Sequence, residues 1–239
     1  MPVAIISDIH GNIKALEAVL SDIKKQGLEE IYCAGDLVGY APFPNEVIDL
    51  ILRKNILTVM GNYDDGVGFD KPECGCAYID SKSKELGKQS IEWTKKEVSA
   101  ENKEFLRSLP THIDFKRGDF NVKVVHGSPR KINEYLFEDK PEQTLRRIVE
   151  ETGADILVCG HTHKPYHKVL GDKHLVNVGS VGKPKHGDSQ AVYGVLDLKS
   201  GKLEVQFIKI PYDVESVAQA IEKSKLPNEF AVALWEGRG

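Results

Sequence analysis

The sequence predicts a mixed α/β fold in which two packed sheets carry helices on their outer faces. Two observations lead there. The first sixty residues alternate short apolar runs with amphipathic helical stretches, a βαβαβ order that implies parallel strands joined by right-handed crossovers. Farther on, "HLVNVGS", "QAVYGVLDL" and "LEVQFIKI" alternate in period two around glycine-containing turns, which predicts an antiparallel meander. A sheet that begins parallel and ends antiparallel over so many strands is too long to stay open in one layer.

The elements follow in order. "VAIIS" (3–7) is an apolar strand, and "IKALEAVLSDIKKQG" (13–27) places Ile13, Leu16, Val19, Leu20 and Ile23 at helical spacing before Gly27 stops it. The unit repeats with the strand "IYCA" (31–34), a helix at 45–55 opened by Pro44, and the strand "ILTVM" (56–60). Residues 64–90 mix glycines and charges with few periodic apolar positions, so they read as a long surface excursion, helical toward its end, that overhangs whatever lies at the strand ends. "IEWTKKEV" and "AENKEFLRSL" are helices separated by the N-cap candidate Ser99. "THIDFK" and "FNVKVVHG" flank a turn at Gly118, 141–153 is a helix starting at Pro141, and "DILVCGH" is a buried strand. Two closing helices follow in "VESVAQAIEKSK" and "PNEFAVALWEG".

At 239 residues with no internal repeat or linker, the chain reads as a single domain spanning 1–239. No apolar run approaches the roughly 20 residues of a membrane helix, and no secretion signal precedes "MPVAIISDIH", so a cytoplasmic protein without membrane contact is expected. Its four cysteines are expected as reduced thiols, with Cys74-Gly-Cys76 as loop thiols rather than a soft-metal or redox pair. A net charge of −4 without a basic block makes nucleic acid an unlikely partner.

Five short stretches each sit just past an apolar strand: "SDIHGN" (7–12), "GDLVG" (35–39), "GNYDD" (61–65), "HGSP" (126–129) and "GHTH" (160–163). In open α/β sheets such ends converge on one crevice. They deliver Asp8, His10, Asp36, Asn62, His126, His161 and His163, a set of oxygen and nitrogen donors that suits divalent Mn, Fe, Zn, Ni or Co. Seven ligands are too many for one first-row ion and fit two if a carboxylate bridges. Two divalent ions carry a positive surplus over the two aspartates, which attracts phosphate and lowers the pKa of a bridging water toward neutrality. His161 and His163, two positions apart on an extended segment, would each reach one ion.

These motifs, DxH, GDxxG, GNxD, HG and GHTH in this order over residues 8–163, resemble the calcineurin-like metallophosphoesterase family. The resemblance implies a four-layer α/β/β/α sandwich whose second sheet takes the strand-rich tail. It assigns Asp8, His10, Asp36 and His163 to one metal and Asp36, Asn62, His126 and His161 to the other, with Mn as the expected metal. The run "AGDLVGYAPFPNEVIDLI" is similar to a small prokaryotic branch whose relatives include phosphodiesterases and dinucleoside tetraphosphate hydrolases. The expected activity is therefore phosphoester hydrolysis, with Asp36, Asn62, His126 and Tyr63 as catalytic residues and a small phosphate ester or nucleotide as substrate. One departure matters: the family places histidine after the Asn of GNH, and this chain has Tyr63. A phenol with pKa near 10 donates a hydrogen bond but shuttles protons poorly at neutral pH, which favours diesters or anhydrides over alkyl monoesters. Monoester phosphatase and non-catalytic scaffold are the competing expectations.

Around this set, Asn62, Arg130, Lys185 and His186 are candidate substrate contacts, the last two in the glycine-rich basic loop "GSVGKPKHGD" together with Lys183. Asn12 is read as a helix cap. His112, His167 and His174 are read as surface or packing residues.

Overall fold

The computed structural model describes residues 2–78, 80–199 and 201–238. Strands β1 (Val3–Ile6), β2 (Ile31–Cys33) and β3 (Leu57–Thr58) are parallel neighbours connected by α1 (Ile13–Lys25) and α2 (Pro44–Arg53). Helix α1 buries Ile13, Leu16, Val19 and Ile23 and starts where the Asn12 side chain accepts the Ala15 N–H, while Pro44 opens α2. Helices α3 (Asn62–Gly68), α4 (Ser81–Glu97) and α5 (Ala100–Ser108) follow, the last capped by Ser99 as expected. Next come β4 (His112–Arg117), β5 (Phe120–Val125), α6 (Glu142–Glu150), β6 (Ile156–Cys159), β7 (Tyr166–Leu170) and β8 (Lys173–Asn177). The hairpin β9 (Ala191–Lys199) and β10 (Lys202–Ile210) precedes α7 (Val214–Lys223) and α8 (Glu229–Glu236).

These strands form two five-stranded mixed sheets, ordered β10-β9-β1-β2-β3 and β4-β5-β6-β8-β7. Period-two burial explains the layering. Val3 and Ile5 of β1 face Ile156 and Val158 of β6 between the sheets, whereas Ala4 and Ile6 pack under α1 and α2, and Leu157 and Cys159 pack under α6. Each fully buried Val, Ile or Leu contributes about 1.5–3 kcal/mol, so both faces of the central strands are held. Among the described residues no helix is long and apolar enough to cross a membrane.

Two expectations need correction, and two elements were not visible in the sequence. The predicted meander holds only for its last two strands: β9 and β10 pair antiparallel, but β8 pairs in parallel with β6 in the second sheet, and β9 returns antiparallel to β1 in the first. For the same reason the strand-rich tail does not build the second sheet alone. Period two reports that one face of each strand is more buried, not which sheet the strand joins. Strand β7 gave little signal because its central residues His167, Lys168 and Val169 are partly or fully exposed. Helix α3 was hidden because two glycines and buried polar residues, rather than an apolar stripe, make up its face.

The parallel strands of both sheets end at one edge. The loops after β1, β2, β3, β5 and β6 therefore meet and exchange backbone or side-chain hydrogen bonds there.

Candidate active site

The backbone of this edge is wound tightly before any side chain is considered. Asp8, His10, Asp36, His161 and His163 all adopt left-handed φ, between 51° and 64°, where a side chain ordinarily costs about 1–2 kcal/mol. Hydrogen bonds hold the strain: Asp8 N–H donates to Gly35 O at 2.9 Å, His10 N–H to Asp36 O at 3.0 Å, and His161 N–H to the Asp8 carboxylate at 3.0 Å. Asp64 is the clamp between two of the loops. Its buried carboxylate accepts the N–H groups of Asp36 and Leu37, both at 2.8 Å, and of Gly61 at 2.9 Å. Gly61 and Gly160 let these loops approach, since a Cβ at either would collide with the Asp36 or Asp8 carboxylate.

On this frame the predicted donors fall into two clusters. Asp8, His10 and His163 form one and Asp36, His126 and His161 the other, with the donor atoms in each within 4.8 Å of one another. His126 Nε2 lies 3.2 Å from His161 Nδ1, 3.3 Å from Asp36 Oδ2 and 2.9 Å from Asn62 Oδ1. In the first cluster His163 Nε2 lies 3.1 Å from Asp8 Oδ1 and 3.2 Å from His10 Nε2. Asp36 Oδ2 stands 3.7 Å from His10 Nε2 and so faces both sets. The left-handed backbone corrects the expectation of an extended GHTH segment. His161 and His163 do reach separate clusters, but by two backbone reversals rather than by strand geometry.

The donor chemistry fits divalent cations. His10, His126 and His163 each donate Nδ1–H to a backbone carbonyl, of Val38, Ala34 and Lys183, which turns the Nε2 lone pairs inward. Asn62 donates Nδ2–H to Cys74 O and Cys76 Sγ, both at 3.2 Å, which aims its Oδ1 at His126. Acceptors thus confront acceptors, and Asp8 Oδ1 and His161 Nε2 are buried with no hydrogen-bond partner. Burial keeps His10, His161 and His163 below the usual imidazole range, which favours neutral rings with free lone pairs. Burial also works against the Asp8 carboxylate, yet His163, His126 and His10 hold it far below the usual range. His126 is the exception: burial opposes its charge, but the Asp36 carboxylate raises it to about 10, and that proton competes with a cation for the same lone pair.

A cavity of about 60 Å³ opens on both clusters. His10, Asp36, His161 and His163 line it together with Tyr40, Tyr63, Tyr135 and Lys185, and Cys76, Ala77 and Tyr78 of the excursion cover it. Tyr63 Oη is buried without a hydrogen-bond partner, and burial with Tyr40 beside it pushes the phenol well above its ordinary pKa. Burial likewise depresses the Lys185 ammonium. Lys183 Nζ sits 4.2 Å from the centre of the Tyr40 ring.

Two predicted substrate contacts stand elsewhere. Arg130 pairs with Glu134 and lines a second cavity of about 580 Å³, which His126 also lines, together with His112 and Lys123. His186 pairs with Asp188 at 2.9 Å and does not line the small cavity. Asn12 caps α1, and its amide also bonds Gly182 O and Tyr212. His112, His167 and His174 lie outside the clusters. Sequence reasoning missed Asp64, Tyr40 and Tyr135, of which Asp64 left a trace as the last letter of the GNxD motif, and it read Cys76 as a loop thiol without a role at the site.

A model of the calcineurin-like phosphoesterase superfamily domain matches residues 1–201. The chain belongs to this superfamily. It is therefore a metal-dependent phosphoric ester hydrolase on two five-stranded mixed sheets flanked by helices. This calcineurin-like chain is 37% identical over 253 residues to an uncharacterised protein of Methanocaldococcus jannaschii, covering 99% of this chain and 98% of that one. Among solved structures it superposes on a metallophosphoesterase from Sphaerobacter thermophilus with a TM-score of 0.79, 28% identity and 99% coverage of both chains. A hypothetical protein from Pyrococcus horikoshii OT3 gives a TM-score of 0.85 and 27% identity, covering 99% of this chain and 98% of that chain.

Proposed function

We propose that the calcineurin-like chain is a dinuclear phosphoesterase that hydrolyses phosphodiester or dinucleoside polyphosphate bonds. The observation that carries this reading is the pair of inward-facing donor clusters with Asp36 Oδ2 between them. Asp8, His10, Asp36 and His163 would hold one ion and Asp36, Asn62, His126 and His161 the other, with Mn²⁺ the first choice and Fe, Zn, Ni or Co also compatible with these ligands. When bound, such a pair supplies a water of lowered pKa as nucleophile and neutralises phosphoryl oxygens.

The chain's own residues complete the site. Asp36 and Asn62 fix the metal side of the cavity through their backbone and amide hydrogen bonds. Lys185 supplies a cation whose burial is relieved when an anionic oxygen enters. Tyr63 offers a phenolic O–H whose raised pKa lets it donate a hydrogen bond but not surrender the proton. The leaving oxygen must then depart as a stable anion, which favours phenolates, nucleotides and other diester or anhydride leaving groups over alkoxides.

The test is to strip the protein with chelator, reload it with Mn²⁺ and compare an aryl monoester, the matching diester and diadenosine tetraphosphate. The diester or the dinucleotide should lead. A clear lead for the monoester would overturn the substrate assignment, and metal-independent turnover would overturn the mechanism.

A further inference from the structure

Cys74 and Cys76 bring their sulfurs to 3.1 Å, on the same segment that covers the small cavity. Gly75 between them takes φ +71°, the left-handed turn that folds the two side chains back onto one another. A disulfide needs a separation near 2.05 Å, so closure asks for a shift of about 1 Å across a single intervening glycine. The pair is also wired to the second donor cluster. Asn62 Nδ2 rests on Cys74 O and Cys76 Sγ, and these two bonds orient the amide oxygen toward His126 Nε2.

We propose that Cys74 and Cys76 are a site of reversible disulfide formation that loosens Asn62 and thereby weakens metal binding at the Asp36, His126 and His161 cluster. The coupling to metal rests on the dinuclear reading above. Cys76 is half-buried between the exposed residues Gly75 and Ala77, whereas Cys74 is buried, so an oxidant meets Cys76 first. With a small-molecule disulfide such as oxidised glutathione, Cys76 Sγ hands its proton to Cys74 Sγ 3.1 Å away and attacks one sulfur, and the released glutathione thiolate takes that proton up from Cys74. The Cys74 thiolate then attacks Cys76 Sγ in the mixed disulfide and expels the second. The protein loses two protons and two electrons, and one glutathione disulfide becomes two thiols. Closure draws Cys76 Sγ toward Cys74 and away from the Asn62 amide, leaving that amide one acceptor. Loss of such an outer partner ordinarily weakens metal affinity by 10-fold or more, so about 10-fold is expected here.

The full chain is incubated with oxidised glutathione and followed by thiol titration, intact mass and Mn²⁺ equilibrium dialysis. Cys33 and Cys159 are fully buried and should stay reduced. The wild type should lose two thiols and about 2 Da, bind Mn²⁺ about 10-fold more weakly at one site, and recover with dithiothreitol. Cys74→Ser should instead hold a single glutathione adduct. Cys76→Ala should bind Mn²⁺ about 10-fold more weakly with or without oxidant. Retention of all four thiols overturns the proposal, as does a disulfide that leaves Mn²⁺ affinity unchanged. Reduced wild type that holds no Mn²⁺ would sink the dinuclear reading itself, while thiol count and mass decide the disulfide separately.

Discussion

Asp64 offers the sharpest test of how the site is built. Its Oδ2 accepts from Asp36 N–H and Gly61 N–H, and its Oδ1 from Leu37 N–H. Asp64→Ala leaves three buried donors without an acceptor, at about 1–3 kcal/mol each. A water entering the vacated volume recovers part of this, so a loss of about 3–5 kcal/mol is expected. Asp64→Asn keeps one carbonyl oxygen. Turned to serve Asp36 and Gly61, it forfeits only the Leu37 bond, a loss of about 1–3 kcal/mol. For a chain of this length these losses correspond to melting shifts of about 6–20 °C for alanine and about 2–12 °C for asparagine. Thermal denaturation in chelator, followed by circular dichroism, measures both. Because the clamp ties the Asp36 loop to the Asn62 loop, Mn²⁺ affinity should fall about 10-fold in each variant. If Asp64 merely filled space, Asp64→Asn would melt with the wild type, and that result would refute the clamp.

Other consequences are equally direct. His126 titrates near 6.5 when unfolded and about 10 when folded, so its stabilising contribution is complete below pH 6.5 and lost as pH rises to about 10. Metal-free protein should therefore melt at progressively lower temperature across that window, and a rising melt would contradict the assignment. Tyr63→Phe removes a buried hydroxyl without a partner and should raise the melting temperature by about 2–4 °C while lowering kcat on the best diester substrate; unchanged kcat would free Tyr63 of any role. Gly160→Ala drives a methyl group into Ser7 Oγ and the Asp8 carboxylate, and calorimetry should count one Mn²⁺ in place of two. A retained stoichiometry of two would place Asp8 outside the metal set.

The donor motifs were legible because strand–helix–strand passes of constant length bring Asp8, Asp36 and Asn62 to one edge whatever their flanking sequence. Donors were visible; their supports were not. Asp64 works by accepting N–H groups from loops 27 and 28 residues away, a relation fixed only when β2 and β3 lie side by side. Arg130, four residues from His126, shares a cavity with it, but the sequence did not show that Glu134 would hold its guanidinium. The sheet assignment of β8 and β9 was hidden because alternation is identical in either sheet. The excursion did overhang the site, but nothing in its composition foretold that Cys76 would touch Asn62.

The left-handed residues that carry the donors set folding against chemistry over evolutionary time. Asp8, His10, Asp36, His161 and His163 together store on the order of 5–10 kcal/mol of backbone strain, comparable with the whole stability of an ordinary domain. A lineage released from hydrolysis would gain stability at once by accepting glycine or asparagine at any of these places. Drift would then erase the donor set quickly rather than leave it as an inert relic. Five strained side chains brought together are a standing cost that the fold carries at the site.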